Sequence, residues 1–128
     1  MLDDRGTVIN IDGESYNLIL TTLATKEIAK KFGGLEELGE TLSDGKDIAE
    51  MFDAVLWLVA LLANQGIKIH NYKNKDSKKD EIDVEMLEIF TSPLELTEFK
   101  DAIMEAITKG TTRHVESEGD EKNGEAAG

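Results

Sequence analysis

Cysteine is missing from all 128 residues. Its absence excludes disulfide staples, thiolate metal ligation and a cysteine nucleophile, and it fits a reducing compartment, with the cytoplasm as the expected location. Histidine occurs only at His70 and His114, and proline only at Pro93. Positive charge is scarce as well: 14 Lys and Arg stand against 27 Asp and Glu, for a formal charge of −13. Such a balance repels nucleic-acid phosphates and anionic lipid, so neither nucleic acid nor membrane is an expected partner. The start, MLDDRGTVIN, has no basic segment followed by an apolar run and no small-residue cleavage site, so it predicts no secretory signal. Long apolar runs are also lacking. The longest, Ala54 to Ala63 within DAVLWLVALLANQG, is closed by Asp53 and Asn64 and is roughly half the ~20 residues a membrane helix needs.

What is present predicts one compact domain over residues 1–110, of α+β class but mainly α: an N-terminal β-hairpin packed on a small bundle of about four helices. Thr7 to Ile11 and Ser15 to Thr21 alternate apolar and polar residues around Asp12-Gly13, a pair suited to the positive φ angles of a tight turn. The hairpin, residues 7–21, shows Ile9 and Ile11 on one face of its first strand, and Tyr16, Leu18 and Leu20 on one face of its second. Two strands are marginal alone and leave their edges open, to be packed on the domain or paired with a second copy.

Helices are expected over about 22–33, 46–65, 84–91 and 93–109. Ala24, Ile28, Phe32 and Leu35 recur at helical spacing before the stop signal Gly33-Gly34, and LEELGETLSDGKD has room for one more turn before Ser43, Asp44 and Gly45. NYKNKDSKKDE, residues 71–81, is polar and aperiodic, a solvated connection. Asp83 can cap the next helix, with Ile82 and Leu87 at the positions of a hydrophobic staple. Ser92-Pro93-Leu94-Glu95 combines an N-cap serine, a first-turn proline and a glutamate three residues past the cap, which is a capping box. The helix it opens carries a Leu96, Phe99, Ile103, Ala106, Ile107 stripe and is expected to end at Gly110. Residues 111–128, TTRHVESEGDEKNGEAAG, have almost no apolar content and are expected to form a disordered acidic tail.

Catalytic constellations are scarce. His70 is expected in a loop and His114 in the tail, neither held rigidly enough to serve as a base. Glu36-Glu37 and Asp80-Glu81 read as solvated charge in a chain this acidic. NKDSKKDEIDVE places Asn74, Asp76, Asp80 and Glu85 at calcium-loop positions, but Lys78 and Lys79 occupy the positions that need an oxygen ligand and a glycine. No catalytic residue, cofactor site or metal site is therefore assigned, and no phosphate-cradling glycine loop occurs.

The apolar helix over 46–65 is the remaining feature. At 100° per residue, Ile48, Met51, Phe52, Val55, Leu56, Leu58, Val59 and Leu62 share one broad arc. Trp57 and Leu61 fall on the opposite side with Glu50, Asp53 and Asn64. Either neighbours wrap the helix nearly all round, or Trp57 and Leu61 form the contact for a partner, tryptophan being a favoured anchor.

In order, the VINIDGESYNLIL hairpin, the short helix closing on KKFGG, the apolar FDAVLWLVALLANQG helix and the late SPLELTEFKDAIMEAI helix before a hydrophilic tail resemble the tail assembly chaperones of long-tailed bacteriophages and prophages. The resemblance covers residues 7 to 110 and lies in the layout of elements. It implies a non-enzymatic protein of the host cytoplasm that binds the phage tape-measure protein while the tail tube assembles, with the tube subunit as a further candidate partner; a second copy remains a candidate on the hairpin's open edges alone. It also implies a longer frameshifted form diverging near the acidic tail, and it transfers no functional residue by position. The rival classes are an acidic protein-binding module or DNA mimic, which needs carboxylates along one continuous face, and a small enzyme, which needs a pocket with perturbed groups.

Overall fold

The computed structural model describes residues 6–44 and 47–127, with the side chains of 43, 44 and 113–127 outside that description. Two strands, β1 (Thr7–Ile11) and β2 (Glu14–Leu18), precede five helices: α1 (Thr22–Phe32), α2 (Leu35–Asp44), α3 (Ile48–Lys73), α4 (Val84–Phe90) and α5 (Pro93–Ala127). The architecture is mainly helical with an N-terminal antiparallel hairpin, as the sequence predicts, with one helix more than expected.

The hairpin turns on Asp12 (φ 51°) and Gly13 (φ 82°), both in the left-handed region that the right-handed strand twist favours. Ile11 pairs with Glu14, Ile9 with Tyr16 and Thr7 with Leu18. A two-residue turn makes these the hydrogen-bonded pairs, so the backbone N–H and C=O groups of Val8 and Asn10, and of Ser15 and Asn17, point away from the hairpin. On the β2 side the chain meets α3 directly. Ile19 N–H donates to the Leu62 carbonyl at 3.2 Å, and the Asn17 carbonyl oxygen lies where a Cβ on Gly66 would come within 2.6 Å of it.

That approach explains why α3 does not end at Gln65. Gly66 is a contact point for a strand, and the helix continues to Lys73. The same holds for Gly110, where a Cβ would lie 2.8 Å from the Leu20 Cβ. Its helix does not stop there; it continues past Gly110, and the Thr111 hydroxyl Oγ1 donates back to the Ile107 carbonyl at 3.0 Å. The helical backbone of α5 runs on through Ala127, where the sequence predicts a disordered tail. An established helix gains one hydrogen bond for each residue added, and nothing beyond Pro93 removes a donor.

The second strand stops at Leu18, short of the expected Thr21, because Thr21 caps α1 instead: its Oγ1 accepts from Ala24 N–H at 3.0 Å. Other local signals hold, and Gly33 (φ 101°) closes α1 with its N–H on the Ala29 carbonyl. Asp83 Oδ1 caps α4 through Met86 N–H at 2.8 Å. Glu95 Oε1 accepts from Ser92 N–H at 3.0 Å, the reciprocal half of the capping box. The single extra turn allowed after Gly33-Gly34 is instead the full helix α2, because Leu38 and Leu42, four apart, are both buried in the core.

The core gathers around α3. Val55, Leu58, Val59 and Leu62 are fully buried, joined by Ile11 and Leu18 from the hairpin, Ile28 from α1, Leu87 from α4, and Phe99 and Ile103 from α5. Ile48 is not core: it opens the helix and is 65% exposed, with Ala49 and Glu50 exposed beside it. At 26 residues, α3 is long and apolar enough to cross a bilayer by length and composition, so run length alone does not exclude lipid. Burial argues for the core instead, since ten of its side chains are buried, including the polar Gln65.

Candidate interaction surface

Gln65 shows how closely α3 is tied to the chain around it. Its Oε1 accepts from Thr21 Oγ1 at 2.6 Å and its Nε2 donates to the Leu61 carbonyl at 3.1 Å, so both ends of a buried amide are used. One face of the helix further along is covered by the segment expected to be a solvated connection. Asn64 holds Ile82 through two bonds of 2.8 Å, N–H to Oδ1 and Nδ2 to carbonyl. Asn71 holds Lys79 in the same way at 2.8 and 3.0 Å, and Lys68 pairs with Glu81 at 2.7 Å between them. Residues 64, 68 and 71 follow the i, i+4, i+7 stripe of a helix, so the loop is strapped antiparallel along α3. Asn, Lys and Asn at that spacing was the signal available in the sequence.

His70 stands on α3, not in a loop, with its Nε2 2.8 Å from the Ser77 carbonyl. The side chain of His114 lies outside the described residues. Among the described residues no group of three or more His, Cys, Asp or Glu is placed to hold a metal ion. Of the calcium-loop look-alike, Asn74 caps the C-terminal end of α3 and Glu85 stands in the first turn of α4. Tyr16 is the one described side chain whose ionisation clearly shifts: partial burial, then Glu14 and Asp12, push its phenol above the usual tyrosine value. It is a consequence of where β2 packs and has no partner group for proton transfer among those causes.

Trp57 and Leu61 are both part-buried and packed against the core. The Trp57 ring meets Phe32 of α1 edge-on, 5.7 Å between centroids at 75°, and Lys31 Nζ lies 5.1 Å from its centre. The far side of the apolar helix is therefore occupied at Trp57 by the end of α1. Trp57→Ala should accordingly destabilise the isolated protein, by about 1–3 kcal/mol, below the 3–5 kcal/mol of a fully buried aromatic. A denaturation midpoint unchanged by that substitution would show that the ring contributes nothing to the monomer.

The large apolar side chains that remain exposed concentrate elsewhere. Ile89 (70% exposed), Phe90 (49%) and Leu94 (75%) fall within six residues across the tight corner from α4 to α5, with Pro93 exposed between them. Leu87 and Leu96 on either side are buried, so the corner is anchored while its outer surface stays apolar. No periodicity in the sequence marks this surface. IFTSPL carries the strongest capping signal in the chain, and a capping motif says where a helix starts, not whether the residues around it are covered.

No family model matches the chain, and no curated protein and no solved structure matches it. The functional reading therefore rests on the chain's own chemistry.

Proposed function

We propose that this protein is a non-enzymatic tail assembly chaperone of a long-tailed phage or prophage, binding the tape-measure protein in the bacterial cytoplasm and keeping it soluble. The observation that carries the proposal is the apolar corner of Ile89, Phe90 and Leu94 on a domain of charge −13. A chaperone for a long helical client needs exposed apolar contacts and strong solubility in one molecule, and a high net charge supplies the second. The layout of hairpin, apolar helix and late capped helix supports the same assignment. The anchored corner presents its side chains from two rigid helices, a suitable surface for the apolar stripe of an amphipathic client helix.

Co-expression with a tape-measure protein from the same phage or prophage is the test. The client should move into the soluble fraction and co-purify with the wild-type protein. An Ile89→Asp, Leu94→Asp double variant should keep the wild-type circular dichroism and thermal midpoint while losing most of that recovery. A client equally insoluble with and without this protein would end the chaperone assignment. Wild-type recovery by the double variant would move the contact away from the α4–α5 corner.

A further inference from the structure

The apolar corner between α4 and α5 is bordered by charge of one sign. From Val84 to Phe99 the chain has the glutamates Glu85, Glu88, Glu95 and Glu98 and no lysine or arginine. Glu85, Glu88 and Ile89 stand at i, i+3 and i+4 on α4, and Leu94, Glu98 and Asp101 at i, i+4 and i+7 on α5. On each helix an exposed apolar side chain therefore shares its face with exposed carboxylates. The ion pairs of the described residues, Lys30–Glu27, Lys68–Glu81 and Lys109–Glu105, include none of Glu85, Glu88, Glu98 and Asp101. Nor does their placement serve the helices that carry them. Glu85 with Glu88 and Glu98 with Asp101 are like-charge i, i+3 neighbours, which repel. Glu88 also lies in the last turn of α4, where the helix dipole disfavours negative charge. Glu95 alone has an internal role, accepting from Ser92 N–H in the capping box.

We propose that the corner takes a cationic amphipathic helix, with its apolar stripe seated on Ile89, Phe90 and Leu94 and the Lys or Arg beside that stripe meeting Glu85, Glu88 and Glu98. The assignment rests on the reading of this corner as the client contact and adds the charge of the client segment. A cation from outside relieves the repulsion among the carboxylates, whereas the same corner of a second copy doubles it. The apolar side chains thus supply contact, and the carboxylates select which helices are admitted. Because these groups are exposed, the selection weakens as ionic strength rises.

Fluorescence anisotropy on the purified full chain tests this with labelled synthetic peptides. The probe is a helical peptide with a leucine stripe flanked by lysines. It is compared with the same peptide carrying glutamate for every lysine, and with a scrambled one that keeps the lysines but loses the stripe. The lysine helix should bind about tenfold or more tightly than either, and less tightly as salt is added. Glu85→Gln, Glu88→Gln and Glu98→Gln together should weaken binding and remove most of its salt dependence. Glu14→Gln, Asp76→Asn and Asp80→Asn together remove the same charge from exposed positions in the hairpin and the α3–α4 loop and should leave binding near wild type. Circular dichroism should be unchanged in both variants. The proposal is overturned if the lysine helix does not bind, if either comparison peptide matches it, or if the two triple variants behave alike. Failure of the chaperone reading looks different: the lysine helix binds at the corner, yet the tape-measure protein gains no solubility. Conversely, full recovery of a soluble client by the Glu85, Glu88, Glu98 variant would keep the chaperone and strike out the charge selection.

Discussion

Gly66→Ala should lower the stability of the protein by about 1–3 kcal/mol, the opposite sign to the gain of up to about 1 kcal/mol that a helix-interior glycine gives when replaced by alanine. The added methyl has to enter the space held by the Asn17 carbonyl, 2.6 Å from its ideal position. That oxygen is backbone, fixed by the hydrogen-bonded pairs Ile9–Tyr16 and Thr7–Leu18 on either side and by the Ile19–Leu62 bond just beyond. Relief requires β2 to move away from α3 as a unit. Gly39, in the middle of α2, is the internal control: nothing lies within 4 Å of a Cβ there, so Gly39→Ala should gain about 0.5–1 kcal/mol through helix propensity and a less flexible unfolded chain. Urea midpoints of the two variants should move in opposite directions. A stabilised Gly66→Ala protein would mean that the strand yields to the methyl without cost.

Leu62→Ala should be more costly still, about 2–5 kcal/mol. Leu62 is fully buried on α3, within a cluster that includes Leu18 and Leu58. Its backbone carbonyl takes the bond from Ile19 and survives the substitution, so the loss measures side-chain burial and the cavity left behind. Leu23→Ala on the outer side of α1, where the side chain is 43% exposed, should change stability by about 0.5 kcal/mol or less. If the two leucines cost the same, α3 would not be the centre of the core.

The turn and the caps were legible in the sequence because each depends on residues a few positions apart. Asp12-Gly13 meets a requirement for positive φ that few other pairs satisfy. Asp83 accepts from the Met86 N–H and Glu95 from the Ser92 N–H, each three residues away. The stripe from Leu96 to Ile107 was equally plain, because a helix that buries one face repeats at a fixed angle.

The glycines mark where such reading ends. Gly33, Gly66 and Gly110 look alike in sequence, each following an apolar helical stretch. Gly33 ends its helix with φ at 101°, whereas Gly66 and Gly110 lie within theirs and receive Asn17 and Leu20 from a hairpin that is distant along the chain. A missing side chain permits either a left-handed turn or a close approach, and only the position of the second segment selects between them. Exposure at the α4–α5 corner and the contact of Trp57 with Phe32 were decided in the same way. Sequence determined which residues could form helices, strands and caps; tertiary packing decided which apolar side chains stayed exposed, because burial depends on what arrives from elsewhere in the chain.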